Sequence, residues 1–257
     1  MTTHLPPLPA PAFSSASDFD PKGKLESNTV SLWLLNINQF TAAHYAEAER
    51  IMSSSERERA QKFVRGKETH IASRWLLRKV LARYTGIAPE AVEFLRSDKG
   101  KPSLPHSDLH FSLSHSGHWV LLAVGNALLI GADIEEVRAT RDLIGIAESY
   151  YHPDEFARMQ TLDTAAQADY FYRLWTLKEA FLKAIGTGIS AGLDKIAFAL
   201  NADDISASIA SELDAGSAYW QFQLWALNAR DYCALAYKDP RTLNIKWFDA
   251  LATPAFP

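Results

Sequence analysis

Cysteine is almost missing from this chain: Cys233 is the single one, which excludes an internal disulfide framework and fits a reducing, cytoplasmic setting. Long apolar runs are missing as well. None reaches the roughly 18 to 20 residues that span a bilayer, and the first residues lack the basic-then-apolar pattern of a secretory signal. Positive charge is not in excess either. The formal net charge is −4, so no global field favours nucleic acid or an anionic membrane, and any anion site has to be local.

The signatures of several enzyme classes are also absent. Gly100-Lys101 hints at a phosphate loop, but position 95 is Leu where that loop needs Gly, and Pro102 stands where it needs Ser or Thr. Ser114-His115 sits in no Gly-x-Ser-x-Gly elbow, and neighbours in an extended chain point to opposite sides, which argues against a nucleophile and its base. His106, His110, His115 and His118 lie close together without an acidic or cysteine ligand at metalloprotein spacing, so hydrogen-bonded histidines are expected rather than zinc. The glycines from Gly186 to Gly192 follow a helix and have the wrong spacing for a dinucleotide fold.

What is present is an ordinary globular composition. With 257 residues, 47% of them hydrophobic, the chain can bury one large core or two small ones. Residues 1–27, with Pro6, Pro7, Pro9, Pro11 and Pro21 among Ser14, Ser15 and Ser17, are expected to form a flexible tail. A strand is predicted from Val30 to Ile37, and a helical pattern from Thr41 to about Tyr84, its second part amphipathic and ended by Gly86. Strands follow at Leu109 to Leu113, Trp119 to Val124, and Leu128 towards Glu135. The Gly125-Asn126 pair between the last two predicts a hairpin. Residues 140–170 look helical, with His152-Pro153-Asp154-Glu155 as a helix start. Three alternating segments, Lys195 to Leu200, Trp220 to Leu227 and Tyr232 to Tyr237, close the pattern. From Asp239 on, Pro240, Pro254 and Pro257 predict a tail that wraps or frays.

Three stretches carry chemistry. Tyr172 to Gly186 reads as a helix with a glycine cap, in which Trp175, Glu179 and Lys183 share one face at i, i+4 spacing. Apolar residues cover most of the cylinder, so its carboxylate and its lysines, Lys178 and Lys183, need partners elsewhere. Gly131-Ala132-Asp133-Ile134-Glu135 reads as a strand whose two carboxylates lie about 7 Å apart on one side. Like charges so placed repel unless a cation lies between them, and hard oxygen ligands favour magnesium, although a solvated strand end accounts for them equally. The densest basic cluster comprises Arg57, Arg59, Lys62, Arg65, Lys67, Arg74, Arg78, Lys79 and Arg83. With Glu56, Glu58 and Glu68 interspersed it reads as a solvated helix face, or else as a phosphate-binding surface on Arg74 and Arg78.

Gly100-Lys101-Pro102, Phe111-Ser112-Leu113-Ser114-His115-Ser116, Gly131-Ala132-Asp133-Ile134-Glu135 and Trp175-Thr176-Leu177-Lys178-Glu179-Ala180-Phe181-Leu182-Lys183 together resemble the 4'-phosphopantetheinyl transferases, and more closely the larger type with two similar halves. The resemblance runs from about Glu56 to Leu200. It implies an α+β fold of two similar α/β-type subdomains, residues 28–130 and 131–240, packed as a pseudo-dimer with the active site at their interface, flanked by tails at 1–27 and 241–257. It implies transfer of phosphopantetheine from coenzyme A to a serine of an apo acyl or peptidyl carrier protein, with magnesium, by a cytoplasmic monomer that needs neither nucleic acid nor membrane.

The resemblance also carries residue roles. Asp133, Glu135 and Glu179 correspond to magnesium carboxylates, and Lys183 to the lysine at the reacting phosphate. Arg74, Lys101 with Pro102, Ser114 and His115 correspond to coenzyme A contacts, while Glu155 matches a further acidic position near the site. Lys178 stays open between a coenzyme A contact and a structural ion pair, and Trp175 reads as packing. The serine's proton could go to Glu179, to Glu155 or to a water on the metal. Some relatives carry a basic residue where this chain has Glu56. Two other functions use the same residues: a magnesium-dependent hydrolase of a nucleotide pyrophosphate, and a non-catalytic protein that binds coenzyme A or carriers.

Overall fold

The computed structural model describes residues 5–15, 25–201, 204–213 and 218–252; Ser17, Pro21, Pro254 and Pro257 of the expected tails lie outside them. Along the first half run β1 (Thr29–Asn36), α1 (Ala42–Ile51), α2 (Ser54–Gln61), α3 (Lys67–Thr85), β2 (Leu95–Arg96), β3 (Pro102–Ser103), β4 (His110–Ser116) and β5 (Trp119–Gly125). The second half runs through β6 (Leu129–Glu136), α4 (Leu143–Tyr150), α5 (Pro153–Gln160), α6 (Thr164–Ile185), β7 (Ile196–Leu200), β8 (Ile205–Ile209), β9 (Trp220–Asn228) and β10 (Asp231–Lys238), and ends in β11 (Asn244–Asp249).

These elements fall into two compact units. One comprises Ala12–Asn126 with Leu243–Pro257, the other Met1–Pro11 with Ala127–Thr242. In the first, the sheet order is β11-β1-β5-β4; in the second it is β6-β10-β9. Each unit has the same succession: a strand, three helices, a short hairpin, then a longer hairpin whose second strand pairs with the opening strand. The two halves are thus alike in topology, in an α+β fold, although no sequence repeat announces it. Each unit also has its own apolar core, with α3 over the first sheet and α6 over the second.

Local chemistry sets the helix ends. The predicted helical stretch from Thr41 breaks at Met52 because Ser53 opens a new helix: its hydroxyl accepts from Glu56 N–H at 3.2 Å, and the Glu56 carboxylate accepts from Ser53 N–H at 2.9 Å. α6 starts on Asp163, whose side chain accepts from Ala166 N–H at 2.9 Å, and stops at Gly186, whose φ of 72° suits a glycine cap.

Three expectations are corrected. β5 and β6 form no hairpin. β5 is hydrogen-bonded on both sides, to β1 and β4, so it has no edge left for β6, which pairs with β10. The tight turn lies one strand earlier, at Gly117-His118 between the paired Ser116 and Trp119, with Gly117 at φ 55°. The expected C-terminal tail contains β11, which pairs in parallel with β1 and stacks Phe248 on Trp33 at 4.7 Å. The expected N-terminal tail is anchored at several points. Pro6 O accepts from Arg173 at 2.6 Å, Pro9 O from Ala226 N–H at 3.1 Å, and Ser14 N–H donates to Trp247 O at 2.8 Å. Proline removes its own donor but leaves its carbonyl, and an edge strand and an arginine use those carbonyls here.

Candidate active site

The site in the second unit starts with a glycine. A Cβ on Gly131 would collide with the Ala180 carbonyl oxygen and the Ala184 nitrogen, so β6 meets the backbone of α6 with no side chain between them. Gly131, Asp133 and Glu135 share a strand face by alternation, so both carboxylates look toward α6, while Ile134 is buried on the opposite face. Four residues of helix rise about 6 Å and two residues of strand about 6.6 Å. Running in opposite directions, the rows set Lys183 against Asp133 and Glu179 near Glu135, and the long Trp175 side chain, one turn beyond Glu179, reaches back to Glu135.

The contacts follow this register. Lys183 Nζ donates to Asp133 Oδ1 at 2.5 Å, and Asp133 is only 3% exposed. The Trp175 indole N–H donates to Glu135 Oε1 at 2.9 Å, so Trp175, expected as packing, also holds an acid. The Arg141 guanidinium stands 3.9 Å from the same Glu135 oxygen and 4.2 Å above the Trp175 ring. Glu179 Oε1 is buried without a hydrogen-bond partner among the described residues. Burial, then the neighbouring Asp133 and Glu135 charges, push the Glu179 carboxyl up to about 7, against the opposing pull of Lys183 and Arg141.

Among the described residues, no group of three or more acidic, histidine or cysteine side chains stands close enough to hold an ion as it is. The donors nevertheless fit magnesium in kind. They are carboxylates, the oxygen ligands that a hard cation takes, and the orphaned Glu179 oxygen is the buried acceptor that such a cation would satisfy.

Two expected site residues have other occupations. Lys178 is 0% exposed and so has no surface with which to touch coenzyme A. Its ammonium donates to Glu155 Oε2 at 2.7 Å, to Leu193 O at 2.8 Å and to Ile196 O, and lies over the Tyr151 ring. Glu155, read as catalytic from the resemblance, is 3% exposed and also accepts from Phe198 N–H at 2.8 Å and His152 N–H at 3.1 Å. With its oxygens filled by a buried lysine and two amides, Glu155 pins α5 to α6 and β7. Lys178 is next to Glu179 in sequence but about 100° round the helix, which directs the two side chains to different neighbours.

The other expected contacts belong to the first unit. Arg74 and Arg78 both approach Glu56, at 3.9 and 2.7 Å, and Arg78 also donates to Pro89 O at 2.8 Å and Val92 O at 3.1 Å. At 2% exposure Arg78 is a structural arginine, and Lys79 is likewise taken by Glu47 at 2.7 Å. Arg74 keeps a buried Nε without a hydrogen-bond partner among the described residues, and burial pushes its guanidinium down to about 10, with Arg96, Arg78 and Arg59 adding repulsion that Glu56 opposes. Lys101 closes a turn in which Ser97 N–H donates to Lys101 O at 3.0 Å and Gly100 takes φ 85°; burial lowers its ammonium to about 8. Pro102 pairs with Arg96 across β2 and β3. On β4, Ser114 is buried and His115 exposed, on alternate faces.

Arg141 had no sequence signal, because its target is reached through a loop. Trp175 had one, in its i, i+4 relation to Glu179.

Comparison with known proteins covers both halves. Residues 129–236 match the model of the 4'-phosphopantetheinyl transferase superfamily, and residues 39–126 match that of the 4'-phosphopantetheinyl transferase N-terminal region. A 4'-phosphopantetheinyl transferase of Bacillus subtilis is 35% identical over 163 residues, covering 61% of this chain and 71% of the relative. The 4'-phosphopantetheinyl transferase HetI of Nostoc sp. is 36% identical over 186 residues, 70% of this chain and 78% of the relative. The 4'-phosphopantetheinyl transferase Sfp of Bacillus subtilis strain 168 is 34% identical, over 61% of this chain and 71% of the relative. With identity at this level over more than two thirds of these relatives, and a matching model for each half, the chain belongs to the 4'-phosphopantetheinyl transferase superfamily.

Proposed function

We propose that this protein transfers 4'-phosphopantetheine from coenzyme A to a serine hydroxyl of an apo acyl or peptidyl carrier protein and releases adenosine 3',5'-bisphosphate. The observation that carries this reading is the row of Asp133, Glu135, Glu179 and Lys183 between β6 and α6, in a chain whose two halves both match the family.

Asp133, Glu135 and Glu179 would hold magnesium, which when bound neutralises charge on the pyrophosphate as its anhydride bond breaks. The reaction forms a bond from the serine oxygen to the phosphorus bearing pantetheine and breaks the bond from that phosphorus to the bisphosphate oxygen. The serine proton needs an acceptor. Glu155 is sealed from solvent by its partners, so Glu179, on the face that meets β6, is the carboxylate left for the task. Lys183, whose Nζ donates to Asp133 Oδ1, would donate a proton to the departing oxygen. Arg74, Lys101 with Pro102, Ser114 and His115 would receive the phosphates and nucleotide of coenzyme A.

The carrier brings the nucleophile, so no catalytic serine or cysteine is required of this chain. Action as a monomer in the cytoplasm is part of the same proposal. The test is the purified protein with coenzyme A, magnesium and a panel of apo carrier domains, read by intact mass. Gain of phosphopantetheine is expected. Unchanged mass for every carrier sinks the reading; bisphosphate release without a carrier marks a hydrolase instead.

A further inference from the structure

The loop from Val137 to Asp142 lies between β6 and α4 and is fixed at both ends. Val137 N–H donates to Arg230 O at 2.7 Å, and Arg138 N–H donates to the Tyr172 hydroxyl at 2.8 Å. At the far end, Asp142 caps α4 by accepting from Gly145 N–H at 3.0 Å. Between these anchors Arg141 is laid along a row of α6 aromatics. Its Cζ is 4.2 Å from the Trp175 ring centre, 5.3 Å from Phe171 and 5.9 Å from Tyr172. The side chain is 20% exposed, and its Nη1 is 3.9 Å from Glu135 Oε1.

Trp175 and Arg141 therefore act on one oxygen. The indole N–H supplies a directional bond of 2.9 Å to Glu135 Oε1, and the guanidinium supplies positive charge to the same atom. An indole alone can swing about its own bonds. A cation stacked on its face restrains that swing, and the planar guanidinium does so better than a point-like ammonium. The carboxylate is then fixed in rotation by two groups that reach it from one side.

We infer that Arg141 is a positioning residue: stacked on Trp175, it sets the orientation of the Glu135 carboxylate for a divalent cation. The inference rests on the proposed transferase reading for the cation's use, but its own test does not need turnover. Partners that orient a ligand usually change metal affinity about 10- to 100-fold when removed.

The test measures Mn2+ affinity by electron paramagnetic resonance on the wild type, Arg141→Gln, Arg141→Lys and Trp175→Phe, with melting curves and the KM for coenzyme A alongside. About 10-fold weaker Mn2+ binding is expected for Arg141→Gln and Trp175→Phe, with only partial recovery in Arg141→Lys. The effects of Arg141→Gln and Trp175→Phe should not add in the double variant, because both work through Glu135. Unchanged Mn2+ affinity in Arg141→Gln overturns the inference, as does full recovery by lysine or a loss that tracks melting temperature alone. If the wild type binds Mn2+ yet modifies no carrier, the transferase reading fails while the role of Arg141 still stands or falls on its own titration. Absence of Mn2+ binding in the wild type overturns the inference, while the transferase reading is decided by the carrier-mass assay.

Discussion

Gly131 and Ala180 face each other so closely that the glycine's missing Cβ is what lets β6 lie on α6. The carboxylates of one element and the lysine of the other come into register through that approach. Gly131→Ala should therefore push the elements apart against backbone, not against a yielding side chain. We expect a loss of about 3 kcal/mol or more of stability, the upper range for overpacking, seen in urea unfolding, together with weaker divalent-ion binding by the protein that remains folded.

The buried pair Lys178 and Glu155 should act on stability and not on chemistry. Lys178→Met leaves a buried carboxylate without its cation, and a cost of about 3 to 5 kcal/mol is expected. Glu155→Gln keeps part of the amide acceptance from Phe198 and His152, so the milder loss should fall there. Activity per folded molecule, measured at low temperature, should stay near wild type for Glu155→Gln; a large fall in kcat would restore a catalytic role to Glu155.

Two arginines one helical turn apart should separate. Arg78→Leu removes donors from Glu56 and from the Pro89 and Val92 carbonyls and should lower the melting temperature with little effect on the KM for coenzyme A. Arg74→Leu should do the reverse, raising that KM several-fold, because its guanidinium keeps a buried nitrogen with no partner among the described residues. Kinetics and melting on the same preparations distinguish the two.

Lys101 predicts a pH effect. Burial lowers its ammonium to about 8 in the folded protein, below its ordinary value, so it loses its proton first in the folded state. The folded chain then binds fewer protons than the unfolded chain above about pH 8, and stability from this group rises with pH there until the unfolded lysine also titrates. Phosphate binding runs the other way. The KM for coenzyme A should increase as pH passes through about 8, and Lys101→Arg should flatten that rise; a parallel rise in the arginine variant would remove Lys101 from coenzyme A binding.

Chelation with EDTA should stop transfer and magnesium should restore it. Asp133→Asn and Glu179→Gln should each lose transfer while keeping the fold, since Glu179→Gln removes a charge that burial disfavours. Normal turnover in either variant would reassign the carboxylates.

Much of the candidate site's layout was legible in sequence because its spacing is local. Trp175, Glu179 and Lys183 share a helix face by period, and Asp133 and Glu135 share a strand face by alternation, whatever surrounds them. Helix ends were legible where a cap is a near neighbour, as at Gly186. Arg141, by contrast, lies on a loop, where no period says which way a side chain turns.

The sequence by itself determined which acids and bases could stand in one row, and that a helix this apolar would be buried. Only the tertiary structure decided which row meets which. Lys178 and Glu179 are neighbours of similar helical preference, yet one side chain is locked to Glu155 and the other faces β6. That outcome depends on the side from which the sheet arrives. Gly125-Asn126 likewise looks like a hairpin turn, but pairing both edges of β5 with β1 and β4 consumed the donors and acceptors a local hairpin would have used. Strand pairing and helix docking join residues far apart in the chain, and no local periodicity encodes them.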